Sequence, residues 1–200
     1  MAKPNSPGTV VPARQAWVAG SCRPLNPGGI GTYGFAVRNG ERLLVRDGGR
    51  VPDLPGRPMT DDVAEAFGLV LLLDWLREHP GPARIGCVSK AVALNARGEW
   101  EATLPALKAL QDKARELRPA DARVLHLGRT KCAEADAIAR LAYVDAMQAD
   151  PRLALRFASH LATPFQLDEA RKAGARVHAF MGADEAERLQ REAERRSRKS

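Results

Sequence analysis

Apolar residues along this chain fall first into short alternating runs and then into longer helical ones. Gln15-Ala-Trp-Val18 opens a strand pattern. Ser21 to Gly29 is rich in proline and glycine and must turn. Gly31–Arg38 alternates small, aromatic and aliphatic residues as a strand does. Asn39-Gly40 is a hairpin signal between that run and Glu41–Arg46. Three successive antiparallel strands are therefore predicted. Gly and Pro recur through Asp47–Pro58, which reads as a loop.

The period then changes. Thr60 suits a helix N-cap, with Asp61 and Asp62 in the first turn, where the helix dipole favours negative charge. The pattern predicts a helix over Asp61–Glu78, with Val63, Phe67, Val70, Leu71 and Trp75 on or near one face. His79-Pro80-Gly81-Pro82 ends it. Ala83–Ser89 reads as a short apolar strand and Lys90–Asn95 as a short helix. Thr103–Leu117 is helical through Leu104, Leu107, Leu110 and Ala114. Arg123–Leu127 reads as the last strand and Ala133–Met147 as a helix. The order predicts an α/β fold, a mixed five-stranded sheet with helices packed on its faces.

Length and composition place limits around that fold. The chain has 200 residues, which favours one domain with an appendage. Residues 1–13 read as a loose leader, 14–147 as the domain and 148–200 as a helical, charged extension beginning near Asp150-Pro151. Within the extension Leu153–Ala162 and Leu167–Phe180 look helical. Asp184–Lys199 reads as a charged helix or a disordered tail, with Glu187 and Arg191, and Glu192 and Arg196, at exposed-helix spacing. Net charge is +7, which favours polyanionic partners by long-range attraction. No apolar run approaches the roughly 20 residues that span a bilayer. The first residues lack the apolar core of a signal peptide. The expectation is a cytoplasmic protein away from membranes. Cys22, Cys87 and Cys132 form no CxxC pair and read as reduced thiols.

Five segments carry a resemblance. They are Trp17-Val-Ala-Gly-Ser-Cys22 with Asn26-Pro-Gly-Gly29; Thr60-Asp-Asp-Val-Ala-Glu65; Cys87-Val-Ser89; Gly98-Glu-Trp100 before a leucine-rich helix; and His126 through Arg129 to Ala135-Asp-Ala-Ile-Ala139. In order and spacing they resemble type 1 ribonucleases H and the reverse-transcriptase-like branch of that family, over about two thirds of the chain. The resemblance implies the ribonuclease H-like fold. It also implies hydrolysis of the RNA strand of RNA–DNA hybrids by two Mg²⁺ or Mn²⁺ ions on four carboxylates. Glu65 and Asp136 match two of those positions. Ala19 and Val88 stand at the other two and have no ligand atom, so metal binding is expected to be weak or lost. Asp61 or Asp62 could be recruited in a distorted site, although first-turn helix charge explains both. The three cysteines could suggest a softer metal, although small buried residues explain them as well. His126, ten residues before Asp136, matches a histidine thought to assist proton movement or product release.

Ser21, Asn26, Thr60 and Asp62 fall at positions resembling those that contact the hybrid backbone and minor groove, and Arg129 is placed with them. Recognition there would read shape, phosphate and 2′-hydroxyl. Asp62 stands where the family has an asparagine donor, which weakens that contact. Three functions follow as expectations. The first is a catalytically impaired binder of RNA–DNA hybrid or structured RNA. The second is an active hybrid ribonuclease whose two missing carboxylates are engineered away or compensated. The third is a protein-interaction scaffold acting through residues 151–200.

Overall fold

The structure, a computed structural model, describes residues 13–53 and 58–157. Its elements are β1 (Arg14–Arg23), β2 (Ile30–Asn39), β3 (Arg42–Arg50), α1 (Asp61–Glu78), β4 (Ala83–Cys87), α2 (Lys90–Arg97), α3 (Pro105–Leu117), β5 (Ala122–His126), α4 (Gly128–Lys131), α5 (Ala133–Ala149) and α6 (Pro151–Arg156). The five strands form one sheet in the order β3-β2-β1-β4-β5. β1, β2 and β3 pair antiparallel, while β4 runs parallel to both β1 and β5. The mixed sheet read from the sequence is therefore the one that forms.

Two segments that read as turn or loop are strand. Ser21 and Cys22 continue β1, paired with Thr32 and Gly31, so the turn is confined to the residues after Arg23. β3 runs on through Gly48 and Gly49, paired with Gly34 and Tyr33. The glycines there serve close approach rather than turning. A Cβ on Gly48 would lie 2.4 Å from Ile138 Cγ2, and one on Gly34 would lie 2.5 Å from the Ala135 carbonyl. α5 therefore packs down on backbone, and Gly34 with its neighbour Ala19 faces that helix.

α1 covers the other face. Thr60 caps it, its hydroxyl accepting from the Val63 amide at 3.2 Å. The buried positions are Val63, Leu69, Leu72, Leu73 and Leu76, while Phe67, Val70, Leu71 and Trp75 are half-buried. The expected face was thus misplaced. α1 is apolar on nearly every side because it lies between the sheet and α3, so its pattern carries little directional information. Leu104 also departs from expectation. It precedes the first turn of α3 and is 47% exposed, and buried Gln111 takes a place on the inner face instead.

The boundary expected for the extension, after residue 147, falls inside α5, which runs two residues beyond Met147 to Ala149. α6 follows, and Leu153 and Phe157 pack with Ile30 and Tyr143. The start of the C-terminal segment thus shares the domain's core. Leu167–Phe180 and Asp184–Lys199 lie outside the described residues. No helix among the described residues is long and apolar enough to cross a membrane.

Candidate functional site

In open sheets with parallel strands, ligands gather beyond the carboxyl ends of those strands. Here β4 stops at Cys87, which pairs with Val18. Ala19 and Val88 are the next residues on each chain, so they occupy neighbouring places at this end of the sheet. Ala19 is fully buried and Val88 half-buried.

Glu65 comes to this point from α1. A Cβ on Gly20 would lie 2.2 Å from the Glu65 nitrogen, so β1 and α1 meet backbone to backbone. Glu65 is 2% exposed. Its Oε1 accepts from the Ser89 amide at 2.9 Å. Burial pushes its carboxyl up to about 8; the Asp62 charge adds to that, while the Ser89, Gly20 and Val88 amides oppose it. Desolvation wins because water cannot reach between the two backbones. The same environment holds two thiols. Burial first, and then the Glu65 charge, raise both Cys87 and Cys132, the latter to about 12. Both are protonated thiols at neutral pH, a poor state for a soft metal.

Asp136 comes from the first turn of α5 on the opposite face and is 3% exposed. Arg140, one turn on, places Nε 2.9 Å from Oδ2, and Arg129 of α4 places Nε 3.3 Å from Oδ1. Both oxygens of the carboxylate are therefore matched by guanidinium groups. Beside it opens a cleft of about 180 Å³ lined by Ser21, Cys22, Arg23, Pro24, Asn26, Asp61, Arg129, Asp136 and Arg140. Asp61 turns Oδ1 to the Cys22 amide at 2.5 Å. Burial raises the Asp61 carboxyl, against the Cys22 amide and the Arg129 and Arg23 charges.

The structure thus brings Ser21, Asn26, Arg129 and Asp136 into one cleft. Thr60, Asp62, Glu65 and His126 do not line it. Thr60 spends its hydroxyl on the cap of α1. His126 is exposed at the end of β5. Arg23, Asp61 and Arg140 complete the cleft. Arg140 had a signal in the sequence, since it follows Asp136 by one helical turn. Arg23 had none, because it lies in a Pro-Gly-rich stretch that read only as a turn.

The residues do not fit a pair of Mg²⁺ or Mn²⁺ ions. Such ions need several ionised oxygens on one spot. Ala19 and Val88 offer none, Glu65 favours its protonated form, and Asp136 is matched by two cations. No group of three or more His, Cys, Asp or Glu among the described residues could hold a metal.

No protein-family model matches the chain. In three dimensions it is similar to RNase H1 from the halophilic archaeon Halobacterium salinarum, at 24% identity and a TM-score of 0.58, over 67% of this chain and 99% of that one. It is equally similar to the N-terminal RNase H domain of a Mycobacterium tuberculosis protein, at 24% identity and 0.58, over 68% and 99%. An RNase H1 isolated from compost by a metagenomic approach, solved in complex with RNA/DNA hybrid, matches at 20% identity and 0.59, over 67% and 99%. The domain therefore has the ribonuclease H fold.

Proposed function

We propose that this chain binds nucleic acid, as RNA–DNA hybrid or structured RNA, and does not cleave it by two-metal chemistry. The observation that carries this reading is the state of the four positions around the end of β4 and the middle of β1. Two positions hold Ala19 and Val88. Glu65 is dry against backbone amides, and Asp136 is neutralised by Arg129 and Arg140. An in-line displacement needs metal ions bridging ionised oxygens to the phosphate, and these side chains do not supply them. Binding is supported separately, by a net charge of +7 and by the arginine-lined cleft. A protein of the same fold has been solved with RNA/DNA hybrid.

The test is a labelled RNA–DNA hybrid incubated with the full chain in EDTA, in Mg²⁺ and in Mn²⁺, beside the double change Ala19→Asp and Val88→Asp. The expected result is retention of the hybrid in all three, weakening steeply with salt, and no cleavage by the unmodified protein. Cleavage by the unmodified protein would overturn the non-catalytic reading. Binding that is absent, or indifferent to salt, would overturn the nucleic-acid reading. Cleavage gained by the double change would mean that the substrate groove is intact around a dismantled centre.

A further inference from the structure

Helices α1, α2 and α3 leave a cavity of about 10 Å³ between them. Leu69 of α1, Ala96 of α2 and Leu107 and Ala114 of α3 stand in its wall, and every side chain that lines it is neutral. Two of those side chains are amides, Asn95 and Gln111, each 2% exposed. Gln111 has partners. Its Oε1 accepts from the Ala102 amide at 2.9 Å and its Nε2 donates to the Trp100 carbonyl at 3.2 Å, which fastens α3 to the segment leaving α2. A primary amide has two N–H donors and two lone pairs on its oxygen, so Gln111 retains one of each. Asn95 is different. Its side-chain oxygen and nitrogen are both closed to solvent, and neither has a hydrogen-bond partner among the described residues. Arg115 reaches the Asn95 backbone carbonyl instead, Nε donating at 3.0 Å. Asparagine gains little inside a helix, and a buried amide without a partner is costly. Its place in α2 calls for something in the cavity that bonds it.

We propose that this cavity binds one water molecule, held by the Asn95 amide and bridged to the Gln111 amide. Size limits the occupant to a single heavy atom, since one water needs roughly 10 to 15 Å³ of such space. The neutral wall excludes an ion, whose desolvation nothing there would offset. Asn95 presents a donor and an acceptor, and water answers both. The two amides line one cavity and make no bond to each other, so a molecule between them satisfies both. A wholly apolar void of this kind would stay dry; the two amides make the difference. The bound water links α2 to α3 and, through Gln111, to residues 98–104, which carry Trp100, 45% exposed. This site is separate from the cleft at Asp136 and does not depend on the nucleic-acid reading.

Two measurements on the full chain test it. The first is NMR transfer of magnetisation from water to carbon-bound protons in the unmodified protein. Methyl protons do not exchange with solvent, so transfer to them reports a water in contact. The methyls of Leu69, Leu107 and Ala114 are expected to show cross-peaks with the sign of a water that tumbles with the protein. Leu72 and Leu73, fully buried on α1 and outside the cavity wall, are expected to show none. The second measurement uses Asn95→Leu. Leucine keeps the number of heavy atoms in the side chain and offers no hydrogen bond. The cross-peaks at Leu107 and Ala114 are expected to vanish, and oxygen-17 relaxation dispersion is expected to lose one long-lived water relative to the parent.

Absence of transfer to the cavity methyls in the unmodified protein would overturn the site, whatever the variant does. Equal transfer to Leu72 and Leu73 would overturn it too, because water would then pervade the core instead of occupying one place. Transfer that persists unchanged in Asn95→Leu would overturn Asn95 as the group that holds the water. If Asn95→Leu does not fold, the contrast between Leu107 or Ala114 and Leu72 or Leu73 in the unmodified chain still decides the matter.

Discussion

Glu134→Gln is expected to destabilise the fold by about 3 kcal/mol, since removing one partner strands the other buried charges, and to lower Tm by roughly 10 °C. Thermal denaturation at pH 7 reads this directly. Glu134 sits in the first turn of α5 and is 7% exposed. Arg38 of β2 grips it with two bonds, Nε to Oε2 and Nη2 to Oε1, both 3.0 Å. Arg46 of β3 donates Nη2 to Oε1 at 2.9 Å. Glutamine keeps one oxygen, loses the charge, and leaves two guanidinium groups facing each other. An exposed pair such as Lys108 with Glu101, both more than half exposed, is screened by water on every side, so Lys108→Gln should barely move Tm. The pH dependence has a definite sign. Burial tends to raise the Glu134 carboxyl, but the two arginines outweigh it and hold it below the ordinary glutamate range. Its contribution is therefore complete above the unfolded value near 4.5 and is lost as pH falls through the lower folded value. The variant should lose the corresponding part of its acid sensitivity. A Tm within 2 or 3 °C of the parent, roughly 1 kcal/mol, would mean that the pair adds nothing beyond its desolvation cost. Because Asp136 lies two residues further along the same turn, hybrid affinity should fall with the loosened helix end.

Most of the fold was legible in the sequence, and the exceptions have physical causes. The α1 boundaries follow from Thr60, Asp61, Asp62 and the His79-Pro80-Gly81 stop, because capping and breaking are local chemistry. The strand ends at Cys22 and Gly49 were hidden because glycine and proline signal turns. The reason for glycine at 34 and 48 is a helix more than eighty residues away. At the site, the five resembling segments located Ala19, Glu65, Val88 and Asp136 near one another, which spacing along a known fold can do. Nothing in the sequence showed that Glu65 lies off the cleft behind Gly20, or that Arg23 reaches Asp136's surroundings. Both depend on how closely β1 approaches α1 and on where the chain leaves β1. Glu134 was overlooked for a related reason. Two carboxylates in a first helical turn look alike in sequence, and only the partners on β2 and β3 separate a structural Glu134 from a cleft-lining Asp136.

Glu65→Gln is expected to stabilise the protein at pH 9, which is the reverse of what loss of a working metal ligand would do to an ion-dependent site. Burial raises this carboxyl to about 8 from an ordinary value of 4.5, against the amides of Ser89, Gly20 and Val88. A folded value above the unfolded one means that the native state favours the proton. Native stability is then fully supported below about pH 4.5 and declines as pH rises towards 8, where the dry site is forced to carry charge. At about 1.4 kcal/mol per pH unit, the ceiling on that penalty is about 5 kcal/mol. Glutamine removes the charge and can still accept from Ser89, at the cost of about 1 kcal/mol for imperfect amide geometry. The variant should therefore gain up to about 4 kcal/mol at pH 9 and match the parent within about 1 kcal/mol at pH 5. Denaturant midpoints across that interval, taken as the difference between the two proteins, isolate Glu65 from every other titrating group. Millimolar Mg²⁺ should leave both midpoints unchanged. If Glu65→Gln is instead the less stable protein at pH 9, the three amides outweigh the desolvation and hold a true carboxylate at the end of the sheet. Stabilisation of the parent by Mg²⁺ would then be expected, and with it the case for a protein that binds without cutting would fail at its first premise.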